Sequence, residues 1–412
     1  MPPLKICMLS PTGPSLASAR HLLSAGRALA ARGIEVAAVV PHHYYLPFEE
    51  AGGADEENLG GVAVRHVRLP SRWRGSVRTH FFPAGYWIWG MVRRAMETPF
   101  DIVHAMKPYY TSGPAGLLLS ILTGKPLVLE CDDLEGRDGW ARSLVEEPLF
   151  GFKRRLIETF ERRLPALADA VIASSRALEE ILLARGVARE RLFYIPYCVE
   201  EYMTRRADGA AVRSAFGLGG DPTAIYCGAL HPHNYDVDML IPAMEHVHAA
   251  IPRARMLVVG DGGARPGLER AARERGLLGD AISFAGWVAV ERIPDHIAAA
   301  DVAVVPLRDT PASRCRGLSK VLEYLCQGVP VVMPRVGQAE ELTDGGAAGL
   351  LVRPGDARAL ADGIIELLRD PERAKEMGAR GRRHATTRFS ADGAASARIE
   401  VYRFAAGQPC VK

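Results

Sequence analysis

Apolar residues along this chain come in short runs, and longer stretches with helical spacing separate them. The first run, 5–9, reads as a buried strand, and the turn residues Pro11, Thr12, Gly13 and Pro14 follow it. From 16 to 32 the positions Leu16, Ala19, Leu22, Leu23, Leu29 and Ala30 recur with the helical period. Gly33 stands where a helix C-cap is wanted, and 34–40 returns as a strand, so the segment reads as a βαβ unit. Further strands are predicted at 62–69, 102–106, 127–131, 170–173 and 192–195, mostly with helices between them. Such alternation implies a parallel sheet covered on both faces.

The pattern then restarts, with short β-rich runs at 224–227, 256–259, 282–284, 302–305, 329–333 and 350–352. Between 200 and 222 charges and glycines dominate, and this stretch reads as a linker. The tail 391–404 is helical, with Ala395, Ile399, Tyr402 and Phe404 as its apolar stripe. The expected class is α/β, with two Rossmann-like domains facing a central cleft. One spans 1–199 and is joined by a C-terminal helix at 389–406; the other spans 200–388. Open α/β sheets bind ligands beyond the carboxyl ends of their strands, and a two-substrate reaction fits a cleft of this kind.

Composition narrows this only a little. A net charge of +3 over 412 residues gives no global field for nucleic acid. The seven cysteines form no C-x-x-C pair, so neither a zinc knuckle nor a dithiol motif is signalled, and reduced buried thiols are expected. No stretch approaches the ~20 apolar residues of a membrane span, and the run 6–9 is too short for a signal peptide. The expectation is a soluble, cytoplasmic protein, at most resting on the inner face of a membrane. The region 72–94 combines Arg72, Trp73, Arg74, Arg78, Trp87, Trp89, Arg93 and Arg94. It reads either as a peripheral membrane contact that presents a lipid-linked acceptor or as a helix burying its tryptophans.

The most informative text is Arg314-Cys315-Arg316-Gly317-Leu318-Ser319-Lys320-Val321-Leu322-Glu323, followed by Gln327-Gly328-Val329-Pro330-Val331-Val332. It reads as a loop opening a helix, where free N–H groups and the helix dipole favour an anion. Arg316 and Lys320 add cationic donors at that end. Glu323, about one turn beyond Lys320, can accept bonds from a ribose diol. The plain alternative is a surface helix with an i, i+3 Lys–Glu pair.

This stretch resembles the donor-site segment of retaining family 4 glycosyltransferases, in which a helix opens "K-x-L-E … G-x-P-V-V". Other pieces resemble that family in the same order: Val258-Val259-Gly260-Asp261-Gly262, Phe284-Ala285-Gly286-Trp287-Val288, Ala168 to Ser175, and Gly228-Ala229-Leu230 with Asn234. The resemblance implies the GT-B fold and transfer of a sugar, with retention, from a nucleotide diphosphate sugar to an acceptor hydroxyl. It implies a donor site of Gly228, Asn234, Gly260, Val288, Arg316, Ser319, Lys320, Leu322 and Glu323. It places the acceptor near Gly13 and Ser15. No cofactor or metal is expected. A sugar-nucleotide epimerase of the same fold, or a binding protein without catalysis, are the rival readings.

Three positions depart from the family pattern. Cys315 stands where a sugar-contacting Glu is usual, and Ala229 stands where an Arg is common. Asp132 aligns with a family His and is followed by Asp133. For this carboxylate pair three readings stand: a divalent-metal site, a catalytic or sugar-binding pair, or a helix N-cap. His21, His104 and His246 are expected to pack or cap. No G-x-G-x-x-G follows a strand, which speaks against a dinucleotide oxidoreductase.

Overall fold

The computed structural model describes residues 4–14, 16–41, 54–68, 84–139, 141, 150–231 and 235–408. The chain divides into two compact units. The first comprises Met1–Tyr197, Cys315–Gly317 and Ala391–Lys412, and the second Cys198–Arg314 and Leu318–Ser390.

The first unit holds an eight-stranded sheet ordered β3-β4-β2-β1-β5-β6-β7-β8. Its strands are β1 Lys5–Leu9, β2 Glu35–Pro41, β3 Glu56–Leu59, β4 Val62–Val67, β5 Ile102–Met106, β6 Leu127–Cys131, β7 Ala170–Ala173 and β8 Leu192–Tyr194. Pairing is parallel except between β3 and β4. β5 and β6 are buried at every residue, because helices cover both faces. β3, with the sequence Glu-Glu-Asn-Leu, carries no apolar run, so the hydrophobic pattern gave no sign of it. Its charges suit an edge: Glu56 pairs with Arg65 at 3.2 Å and Glu57 with His66 at 2.8 Å.

The second unit holds a six-stranded parallel sheet ordered β11-β10-β9-β12-β13-β14. Its strands are β9 Thr223–Cys227, β10 Arg255–Val259, β11 Ile282–Gly286, β12 Val302–Val304, β13 Val331–Pro334 and β14 Gly349–Val352. The stretch expected to be a linker contains two short helices of this unit, Glu201–Thr204 and Ala210–Ala215. Gln327 Nε2 donates to the carbonyls of Met203 at 2.7 Å and Arg205 at 2.9 Å, so the segment is packed rather than a free tether. Helices this short leave no readable period.

The terminal helix Ala391–Ala405 belongs to the first unit and buries Ala395, Arg398, Val401 and Tyr402. Ile399 and Phe404, expected on the stripe, are only half-buried, while Arg398 is fully enclosed. Its guanidinium meets Glu130 Oε1 at 2.7 Å. His21 Nε2 lies 3.0 Å from the same oxygen, and His104 Nε2 lies 3.1 Å from Glu130 Oε2. His104 Nδ1 and the Tyr402 hydroxyl are 2.7 Å apart. Burial alone would push the Glu130 carboxyl up, but Arg398 and the two histidines outweigh it and hold it well below the usual range. Burial pulls His104 down against the pull of Glu130. Among the described residues no helix is long and apolar enough to cross a membrane.

Removing one partner of a fully buried pair leaves an uncompensated charge. Arg398→Leu should therefore cost about 3–5 kcal/mol at pH 7, measured by urea unfolding; a loss below about 1 kcal/mol would show that this pair does not fasten the helix. Glu130 and His104 both have folded pKa values below their unfolded ones, so each stabilises the fold above its unfolded pKa. Stability should fall as pH drops below about 6.5, where the unfolded histidine takes a proton, and again below about 4.3 for the glutamate.

Candidate functional site

In the second unit, glycines crown the carboxyl ends of β9 and β10. Gly228 and Gly260 hold φ of +157° and +130°. A Cβ at Gly260 would fall 2.0 Å from the carbonyl oxygen of Gly228, so the two turns approach too closely for any side chain. Gly228 N donates to Val259 O at 2.9 Å, and Gly260 N to Gly286 O at 2.8 Å, which binds the turns into one surface. The helix Ser319–Cys326 is tied to β9 by the buried Tyr324. Its hydroxyl accepts from Cys227 N at 2.7 Å and donates to Cys227 O at 3.1 Å.

No side chain caps the start of this helix, whose N-cap position is Leu318. The orphan N–H groups of such a terminus favour an anion. Ser319 opens the helix, and Lys320 reaches toward the Gly228 turn: a Cβ at Gly228 would lie 2.6 Å from the Lys320 Nζ. That ammonium lies 4.8 Å from the ring centroid of Tyr226, 4.7 Å from that of Tyr235 and 3.3 Å from the Tyr226 hydroxyl. One turn on, Glu323 is 9 % exposed and accepts a 2.6 Å hydrogen bond from the Tyr202 hydroxyl. Val288 follows β11 and is half-buried, beside the exposed Trp287.

The structure thus gathers Gly228, Gly260, Ser319, Lys320 and Glu323 in one unit. The side chain of Leu322 is fully buried in the core and offers a ligand nothing but its backbone. Arg316 groups with the first unit, as does Cys315, whose side chain is fully buried. Asn234 and Ser15 lie outside the described residues. The tyrosines Tyr202, Tyr226 and Tyr235 escaped sequence reasoning, because aromatic residues near a strand or helix read as core.

In the first unit, Gly13 follows β1 and is buried, its carbonyl accepting from Leu16 N at 3.1 Å. At the ends of β5 and β6 stands a cluster whose centre the sequence did not announce. Lys107 has a left-handed φ of +67°, sparsely populated for a residue with a Cβ. Its ammonium lies 2.9 Å from Asp132 Oδ1, 3.5 Å from Asp133 Oδ2 and 2.7 Å from Glu135 Oε1. The Tyr197 hydroxyl donates to Asp132 Oδ2 at 2.8 Å. Asp132 is 1 % exposed and spent on these partners, so it is not a helix N-cap; Asp133, with its side chain 33 % exposed, is the open member. The only hint in the text was a lone Lys immediately after the apolar strand 102–106, at the strand end where α/β sheets place chemistry.

Burial raises the Asp133 and Glu135 carboxyls, and one lysine cannot compensate three carboxylates. Asp133 is pushed up to about 6 and Glu135 to about 8, so the cluster holds a proton near neutrality. For Lys107, burial pulls the ammonium down, but Asp132, Glu135 and Asp133 outweigh it and hold it well above its ordinary value.

The basic, aromatic stretch is described only from residue 84 onward; 72–83 lie outside the described residues. In the helix Ala84–Ala95, Trp87 is buried and Trp89 exposed, so the tryptophans divide between packing and surface. A cavity of about 400 Å³ there is lined by Asp55, His66, Arg68, Trp89, Arg93 and Arg94 among others.

Two family models match this chain: "Glycosyl transferase 4-like domain" over residues 17–198 and "Glycosyl transferases group 1" over 221–370. A GDP-mannose-dependent alpha-(1-6)-phosphatidylinositol monomannoside mannosyltransferase of Mycobacterium tuberculosis is 32 % identical over 56 % of this chain and 60 % of its own length. The chain therefore spans less than two-thirds of that relative. D-inositol 3-phosphate glycosyltransferase 2 of Catenulispora acidiphila is 30 % identical over 76 % of this chain and 73 % of its own. Among solved structures, the sucrose-phosphate synthase of Thermosynechococcus elongatus superposes with a TM-score of 0.76 at 24 % identity, over 97 % of this chain and 98 % of that one.

A folded-state carboxyl with a raised pKa stabilises below its unfolded value and loses that contribution as pH rises through the folded one. Glu135→Gln, which keeps the oxygen facing Lys107, should therefore stabilise only slightly at pH 5 and clearly more at pH 9. Urea unfolding at both pH values checks this; equal effects at both would remove Glu135 as the proton holder.

Proposed function

This chain belongs to the GT-B glycosyltransferases of the family 4 type, and from that membership we propose that it transfers a sugar from a nucleotide diphosphate sugar to an acceptor hydroxyl, with retention at the anomeric carbon. The observation that carries the donor side is the Lys320 ammonium held over the Gly228 turn at an uncapped helix start. A diphosphate laid there would meet the helix N–H groups and Lys320, and Glu323 one turn on would receive the ribose diol. The base would run against the backbone at Val288, beyond β11. Stabilisation of the departing diphosphate is then the main catalytic contribution, since its charge develops as the anomeric bond breaks.

The acceptor belongs on the first unit, at the strand ends that carry Gly13 and the Lys107–Asp132–Asp133 cluster. Asp133, the open carboxylate, is the group we assign to an acceptor hydroxyl or to developing positive charge on the sugar. Asp132 fixes it through their shared lysine. One relative is named for phosphatidylinositol monomannoside and another for inositol 3-phosphate. A hydroxyl of a cyclic polyol, free or lipid-linked, is therefore the acceptor class we favour. A lipid-linked acceptor would be presented at a membrane surface, where the exposed Trp89 and Arg93 suit anionic headgroups.

Lys320→Ala should lower turnover roughly tenfold to a thousandfold, or about 1.4–4 kcal/mol. A thermal-shift screen against UDP, GDP, ADP and dTDP precedes that assay; a ligand at a hundred times its Kd stabilises by about 2.7 kcal/mol. A shift with one nucleotide that Glu323→Ala abolishes supports the donor site and fixes the base. No shift with any of the four would overturn it. Donor consumption that needs no acceptor hydroxyl other than water would count against a transferase.

A further inference from the structure

Lys320 is a flexible side chain at the first turn of a helix, and a flexible ammonium is a poor device for holding a diphosphate. Its four-carbon stem carries rotamer freedom that binding must remove. In this molecule that freedom is already restricted. Tyr226 and Tyr235 place their rings on the Lys320 Nζ at 4.8 and 4.7 Å, within the ~6 Å over which a ring face attracts a cation. The Tyr226 hydroxyl, 3.3 Å from the same nitrogen, adds an oxygen. Tyr226 itself is enclosed and tethered: it is 1 % exposed, and its hydroxyl donates to Ala229 O at 3.1 Å. Tyr235 is half-buried against the core of the second unit and comes from the segment that follows the Gly228 turn. A strand residue and a loop residue thus converge on one cation supplied by a helix.

We propose that Tyr226 and Tyr235 are positioning residues that clamp the Lys320 ammonium over the Gly228 turn, so that a nucleoside diphosphate meets a cation already fixed in place. The inference rests on the donor-site reading given above and deepens it. The residue after Gly228 is Ala229, uncharged, and its carbonyl accepts from Tyr226. The turn itself therefore supplies no cation, and the charge has to be brought from the helix and held at the turn. Gly228 leaves room for it, since a Cβ there would crowd the Nζ to 2.6 Å and the Tyr226 oxygen to 3.1 Å.

The test is a double-mutant cycle read by calorimetric binding of UDP, GDP, ADP and dTDP, with unliganded melting curves confirming that each variant is folded. Tyr235→Leu removes one ring face and should weaken binding of the recognised nucleotide roughly threefold to thirtyfold. Tyr235→Phe keeps the face and should bind like the unsubstituted protein. In a Lys320→Ala background, Tyr235→Leu should cost nothing further, because the cation it positions is gone. Additive losses, or an unimpaired Tyr235→Leu beside an impaired Lys320→Ala, would overturn the clamp and leave the donor site standing. An unimpaired Lys320→Ala, or no binding of any of the four nucleotides, would overturn the donor site and the clamp with it.

Discussion

One phenol organises the second unit's chemistry. The Tyr324 hydroxyl both donates to and accepts from the backbone of Cys227, so the helix that carries Lys320 and Glu323 is locked in register with the last residue of β9. Parallel sheets present their carboxyl ends to ligands, yet a strand end alone supplies only backbone. Here the strand turns sharply at Gly228, and the helix is fixed so that its uncapped start and its cation lie over that turn. Burial raises the Tyr324 phenol well above its ordinary range, so it stays neutral and keeps both bonds at any physiological pH.

The text of the chain was most readable where one period dominates. Every expected strand is present within a few residues, because buried parallel strands are continuous apolar runs. The polar edge strand β3 and the helices at 201–215 were not readable, the first for lack of an apolar run and the second for lack of length. In the terminal helix the stripe was misplaced by its most consequential member: an arginine at 398 reads as surface until its buried partner is known. The segment 316–323 was legible as a loop opening a helix with a cation and a carboxylate a turn apart. The tyrosines around Lys320 were not, since a pattern of apolar positions cannot distinguish a ring that fills a core from one that faces an ammonium.

The acidic cluster of the first unit shows the opposite difficulty. Asp132 and Asp133 stood out as a pair, but their meaning depends on Lys107, some 25 positions upstream and adjacent only through the pairing of β5 with β6. That lysine accepts an uncommon backbone conformation and brings three acids, two of them buried, into one group. Sheets of this type gather such residues from distant segments, so the sequence displays the parts and only the strand order assembles them. The result is an acidic site whose charge is set by a shared proton as much as by its residues.

The burial of Arg398 against Glu130 also has a bearing on synthesis. The first unit is discontinuous: Glu130 and both histidines emerge early, while the arginine that neutralises that glutamate is made some 270 positions later. At about 5–20 residues per second the ribosome needs on the order of 15–50 s to cover that distance. During this interval the nascent sheet can close around Glu130 only by protonating it or by leaving it wet. The second unit, almost continuous in the chain, is free to fold in the meantime. The helix that carries Arg398 therefore acts as a keystone, and a protein truncated before residue 398 would lack it however complete its two sheets.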